Sequence, residues 1–201
     1  MLRRTLLLAA IPAALLVAPR GDARAQSRII PDPTPRLPAQ EGQGLSAEDA
    51  RSLQRAARLS DAQIEAGRLG AEKAGSAEVK QLATSIAEEH ARLRQTLGNL
   101  AAEHRVELQG RDAAGIEDRS LATLRQASGE AFDRAFLARQ LGLYRIMARL
   151  YQTMASNSPD PALQRLGITA LAALRAHFET ARTLGARFGL SADTIENPPQ
   201  Y

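Results

Sequence analysis

Apolar residues recur along this chain in alternating steps of three and four, the spacing that lays one face of an α-helix on a core. Val79, Leu82, Ile86, Leu93, Leu97 and Leu100 form one such stripe. Leu137, Leu141, Ala148, Tyr151 and Ala155 form a second, and Leu163, Leu166, Ala170, Leu174, Ala181, Leu184 and Phe188 a third. A less regular stripe, Leu53, Ala57, Ile64, Gly67 and Ala71, precedes them. The pattern predicts long helices over 46–74, 76–105, 130–155 and 160–188, with a short helical patch near 116–127. Ser46 ahead of Asp49 resembles a capping box, and Ser60-Asp61 marks a point where the first helix would kink or restart. Gly75-Ser76 reads as a tight turn. Asn157-Ser158-Pro159-Asp160-Pro161 ends one helix and opens the next, with Asp160 as cap and Pro161 at the first helical position.

Two tight helical hairpins joined by one long connection predict an all-α four-helix bundle with a short extra helix in its middle connection. A connection of roughly 24 residues can cross the length of the bundle, which favours a ferritin-like topology over simple up-down-up-down order.

Composition supports helix and narrows the chemistry. The 201 residues are 44% hydrophobic, enough to bury a core, but only 3% aromatic, and Ala, Leu and Arg outweigh the sheet-forming types. With no Cys, a disulfide scaffold, a thiolate metal site, a Cys nucleophile and a lipoprotein anchor are all excluded. Arg3-Arg4, the apolar run Leu6 to Ala18 and the small residues Ala23-Arg24-Ala25 have the layout of a signal peptide cut after Ala25. The arginine pair also fits twin-arginine export. Losing residues 1–25 removes four arginines and one aspartate, so the formal charge falls from +4 to about +1 and a nucleic-acid partner loses its support. The expected organisation is a signal peptide over 1–25, a Pro- and Gly-rich disordered tether over 26–46, the bundle over 47–190 and a flexible tail over 191–201. The mature chain is expected to be periplasmic or secreted, without a transmembrane helix. Its tether is suited to presenting the bundle to another envelope component.

Polar residues on the apolar stripes are the candidate chemistry. His90 falls in the second-helix stripe between Ile86 and Leu93, and His177 fills the gap between Leu174 and Ala181. Tyr144 lies between Leu141 and Ala148, and Glu65 lies beside the first stripe. Counting from the two hairpin turns places all four near mid-bundle. They read either as a buried polar network or as ligands for a transition metal or small molecule; the sequence requires no cofactor. Di-iron carboxylate chemistry places Glu three residues before each His. Those positions hold Ala87 and Leu174. Glu103-His104 is expected to be solvated near a helix end, and Asp133 to favour the dipole of its own helix. No nucleophile elbow, phosphate loop or paired-carboxylate motif occurs, so no catalytic residue is assigned and the chain reads as non-enzymatic.

Several short segments carry a resemblance. Ile64 to Leu69, Glu78 to Ala83, Glu89-His90, Ala131 to Phe136, Asp160 to Leu163 and Ala176-His177 resemble, in order, the bacterial exported family called domain of unknown function 4142. The likeness spans about residues 48–188. It implies export, association with the outer membrane, a ferritin-like helical fold and an unsettled biochemistry, with Glu65, His90, Asp133 and His177 as family-motif positions. The family pattern also has a His on the third long helix, where this chain has Tyr144.

Overall fold

Ser46 starts the first helix by accepting a hydrogen bond from the Asp49 backbone N–H at 3.0 Å, so the anticipated cap is present. The computed structural model describes residues 44–108 and 119–196. The expected signal peptide, nearly all of the tether and the end of the tail lie outside the described residues. Helix α1 spans Ala47–Lys73, α2 Ala77–Glu103, α3 Arg119–Gln126, α4 Gly129–Asn157, α5 Pro161–Arg187 and α6 Ala192–Glu196. Among the described residues there is no strand, only an isolated bridge between Ala74 and Gly129. The fold is an all-α bundle.

α1 runs unbroken through Ser60-Asp61, where a kink was anticipated. Ser60 is instead wholly buried on the α1 stripe, with its hydroxyl used against α2. Asp160 caps α5 through the backbone N–H groups of Ala162 and Leu163 at 2.8 and 3.0 Å, as its sequence position implied.

The direction of each helix follows from contacts at the two ends of the bundle. The α1–α2 turn meets the start of α4 at Ala74 and Gly129. His104, just past α2, pairs with Asp160 at the α4–α5 turn at 3.2 Å. His104 is thus engaged across the bundle rather than solvated. α2 and α4 therefore both run from the Gly75 end to the Asp160 end, so the described chain leaves α2 at one end of the bundle and enters α4 at the other, the helix order of a ferritin-like bundle. α1 packs on α2, and α4 on α5; these hairpins then meet along an α1–α4 seam and an α2–α5 seam.

Two apolar clusters fill the interior. Leu53, Leu97, Met147, Tyr151 and Leu163 anchor the one toward the Asp160 end. Val79, Ile86, Phe132, Phe136 and Leu184 anchor the one toward the Gly75 end, with Leu121 and Leu124 of α3 added to it. Full burial of each such side chain contributes about 1.5–3 kcal/mol. Leu45, ahead of α1, packs on the first cluster, and Ile195 of α6 on the second. The segment after 190, anticipated as a flexible tail, thus carries a short helix, started by Ser191 accepting from the Thr194 N–H at 3.1 Å.

Candidate functional site

His90 enters the bundle because its α2 position continues the stripe of Ile86 and Leu97. It is 5% exposed, and its Nδ1 lies 3.3 Å from the Ser60 hydroxyl of α1. Burial drives its pKa down to about 3, with smaller contributions from the nearby His177 and Arg139 charges, so the imidazole is neutral at ordinary pH. His177 reaches toward the same region from α5. It is half-buried, with Nε2 3.3 Å from the Ser85 hydroxyl of α2. Burial lowers its pKa too, while Glu89 opposes the shift.

Tyr151, on the α4 stripe, completes this polar patch. Its ring is 1% exposed, and its hydroxyl is the buried side-chain oxygen without a hydrogen-bond partner among the described residues. Burial pushes the phenol up to about 12, against an opposing influence of Ser60, which lies close without bonding geometry. A buried hydroxyl left unpaired costs about 1–3 kcal/mol.

These three side chains line a groove of about 400 Å³ along the α2–α5 seam. Leu93, Leu100, Met147, Leu166 and Leu174 make most of its wall, and Glu89, Arg92 and Arg165 belong to its lining as well. Arg92 and Glu89 pair with each other at 2.8 Å. Low-dielectric walls, neutral imidazoles and a protonated phenol suit hydrogen bonding to an uncharged group.

The other anticipated site residues go elsewhere. Glu65 points to α3 and pairs with Arg125 at 2.6 Å. Tyr144 is half-buried and stacks on Phe178, ring centroids 4.0 Å apart. The structure therefore brings His90 and His177 to one groove but gives Glu65 and Tyr144 different partners. Asp133 is 1% exposed and accepts hydrogen bonds from the backbone N–H groups of Gly75 and Ser76, at 3.0 and 2.9 Å. It thereby latches α4 to the first hairpin turn, instead of serving only the dipole of its own helix. Among the described residues, no three His, Asp or Glu side chains are grouped to hold a metal ion.

Sequence reasoning missed Ser60, the orphan status of Tyr151 and a second buried cluster. In that cluster Arg139, 1% exposed, donates to Gln63 and to the Ser120 hydroxyl, the latter at 2.9 Å. Gln63 Nε2 donates to Gln140 Oε1 at 2.7 Å. The cluster ties α1, α3 and α4 together. Ser60 does carry a signal, since 53, 57, 60, 64 and 67 keep the three-four spacing without a gap.

A family model described as a domain of unknown function, DUF4142, matches residues 34–184, three quarters of the sequence and every long helix. The chain belongs to the DUF4142 family. Comparison with curated proteins and with solved structures found no match. In this DUF4142 chain the segments that carried the resemblance include the Asp133 latch, the Asp160 cap and the two groove histidines. Among the described residues, no helix is long and apolar enough to cross a membrane.

Proposed function

We propose that this DUF4142 protein is an exported, non-enzymatic binding protein of the periplasm or cell envelope, and that its α2–α5 groove receives a small molecule. The observation that carries the binding reading is the meeting of His90, His177 and Tyr151 from three helices at one groove, with no hydrogen-bond partner for the buried Tyr151 hydroxyl among the described residues. The volume of about 400 Å³ falls within the ~300–1,000 Å³ of small-ligand sites. Export is supported by the arginine pair, apolar run and small-residue cleavage pattern of residues 1–25. Its test is mass spectrometry of the protein from its own cells, expected to give an N-terminus at Gln26; an intact Met1 would remove the compartment assignment.

A metal-binding reading draws on the two neutral imidazoles at one groove, since neutral imidazole is the ligating form. Titration of metal-free protein with zinc, copper and iron(II) separates it from the first reading. Only slight stabilisation is expected. A ligand specific for the folded state adds about 2.7 kcal/mol at a hundredfold excess over its Kd. Stoichiometric binding of that strength, lost in a His90→Ala, His177→Ala double variant, would establish the metal reading instead.

A further inference from the structure

We infer that a second groove, between α1 and α4 toward the Asp160 end of the bundle, binds a small molecule that carries several phosphate groups and no nucleobase. This site lies on the seam opposite the α2–α5 groove and stands independently of the reading given for that groove.

Arg51, Arg55 and Arg58 follow one another on α1 in steps of four and three, so they share one helical face, with about 6 and 4.5 Å of rise between them. Arg145 and Arg149 repeat the step of four on α4. Both rows line one groove of about 810 Å³, in which Glu48 is the one carboxylate among the described lining residues. Like charges this close repel each other, and a cleft walled by one sign of charge focuses its field on counter-ions. Arg58 and Arg145 have partners of their own. Arg51, Arg55 and Arg149 are exposed and have neither a hydrogen bond nor an ion pair among the described residues. Their guanidinium forks are therefore available to donate in pairs to phosphate oxygens. One phosphate would engage only part of this set, whereas several on one molecule would neutralise both walls.

The rest of the lining narrows the ligand. Ser52 and Thr153 present hydroxyls with no partner among the described residues, which suits a sugar or polyol skeleton. No aromatic side chain is among the described lining residues, so a nucleobase would find nothing to stack on. A bilayer surface fits less well than a small molecule. The arginines wall a concave groove, and the exposed large apolar side chain among the described residues, Ile168 of α5, is not part of it.

Calorimetry on the purified protein at about 50 mM salt tests this with tripolyphosphate, orthophosphate and phosphatidylglycerol-containing vesicles as probes. Tripolyphosphate is expected to bind one to one, roughly tenfold or more tighter than orthophosphate, and to weaken several-fold at about 200 mM salt. An Arg51→Gln, Arg55→Gln, Arg149→Gln triple variant should lose about tenfold or more of that affinity, while its thermal midpoint without ligand holds or rises as repulsion is relieved. An Arg68→Gln, Arg165→Gln, Arg175→Gln variant removes the same charge from outside the groove and should stay within about twofold of the wild type. Thr153→Glu, which adds a carboxylate inside the groove, should also weaken binding and serves if the triple variant does not fold.

Equal losses in the two triple variants would reduce the effect to net charge and overturn the groove as a site. Equal affinity for orthophosphate and tripolyphosphate would overturn the requirement for several phosphates, and no binding of tripolyphosphate would overturn the ligand class. Vesicle binding that the groove variant abolishes but tripolyphosphate fails to displace would make this face a membrane-contacting surface instead. None of these readouts depends on the metal titration or on where the mature N-terminus lies.

Discussion

His90 makes stability depend on pH through a single buried ring. Its folded pKa of about 3 lies below the ordinary 6.5 of an unfolded histidine. Above 6.5 the ring is neutral in both states and the full stability is present. As the pH falls from there toward 3, the unfolded chain takes up a proton that the folded chain refuses, so stability is lost at about 1.4 kcal/mol per pH unit. His177 acts in the same direction. Urea unfolding at pH 7 and pH 5 should therefore differ by about 2 kcal/mol on account of His90. His90→Gln should flatten that dependence, and an unchanged difference would contradict the buried neutral imidazole. Asp133 is a second residue whose removal should be felt far from its own helix. Asp133→Ala strands the Gly75 and Ser76 N–H groups and is expected to cost about 1.5–3 kcal/mol, measured as a shift in urea midpoint at constant slope.

The two histidines were legible because each interrupts an otherwise apolar three-four series. Their partners were not. Axial counting brought Glu65 close to the level of His90, but rotation about α1 sends it toward Arg125, and the position of α3 cannot be derived from periodicity. Tyr144 was expected on an inward stripe and is half-buried, and only the α4–α5 packing sets its ring on Phe178. Tyr151 reads as core and is core; the unsatisfied hydroxyl becomes visible only with its surroundings.

Within each hairpin, close approach depends on glycine where the sequence shows only a small residue. A Cβ on Gly67 of α1 would stand 2.5 Å from the Ala83 carbonyl oxygen, and one on Gly70 2.3 Å from the Ala83 Cβ of α2. In the other hairpin, a Cβ on Gly167 of α5 would stand 2.6 Å from the Tyr151 carbonyl oxygen. Backbone cannot yield there as a side chain can. Gly67→Ala and Gly167→Ala are each expected to destabilise by about 1–3 kcal/mol as the helices are forced apart. Gly98, within α2, meets only the Arg94 side chain, at 3.8 Å. Gly98→Ala should stabilise by about 0.5–1 kcal/mol through helix propensity and a less flexible unfolded chain. Thermal midpoints of the three variants would separate the packing role from the propensity role. Helix number and boundaries were legible at this scale, since caps and apolar periodicity agree from Ser46 to Phe188. The short α6 was not, because its hold on the core comes through Leu190 and Ile195 in a polar, Pro-containing stretch.

At the scale of the molecule, the crossover topology followed from the mere length of the middle connection, while the groove along the α2–α5 seam did not. Periodicity shows that a helix has an apolar face but not how closely that face meets its neighbour. Toward the Gly75 end α1 and α4 share their seam with α3, whose Leu121 and Leu124 are buried, whereas α2 and α5 receive no such cover among the described residues. The opening is therefore a product of assembly.

The length of the link between α2 and α4 has a further consequence, for association between copies. Each hairpin is a nearly self-contained unit of sequence, and the link between them is long enough to let one hairpin dock on another chain's partner hairpin. An exchanged dimer would repeat every interface of the monomer, including the Asp133 latch and the His104–Asp160 pair, so its formation is controlled by concentration rather than by new contacts. Refolding at high concentration should trap such dimers with unchanged helix content, detectable by sedimentation, and dilution should return them slowly to monomers. Shortening the link should shift that balance toward exchange, because a hairpin that can no longer reach back along its own bundle must find its mate in a second molecule.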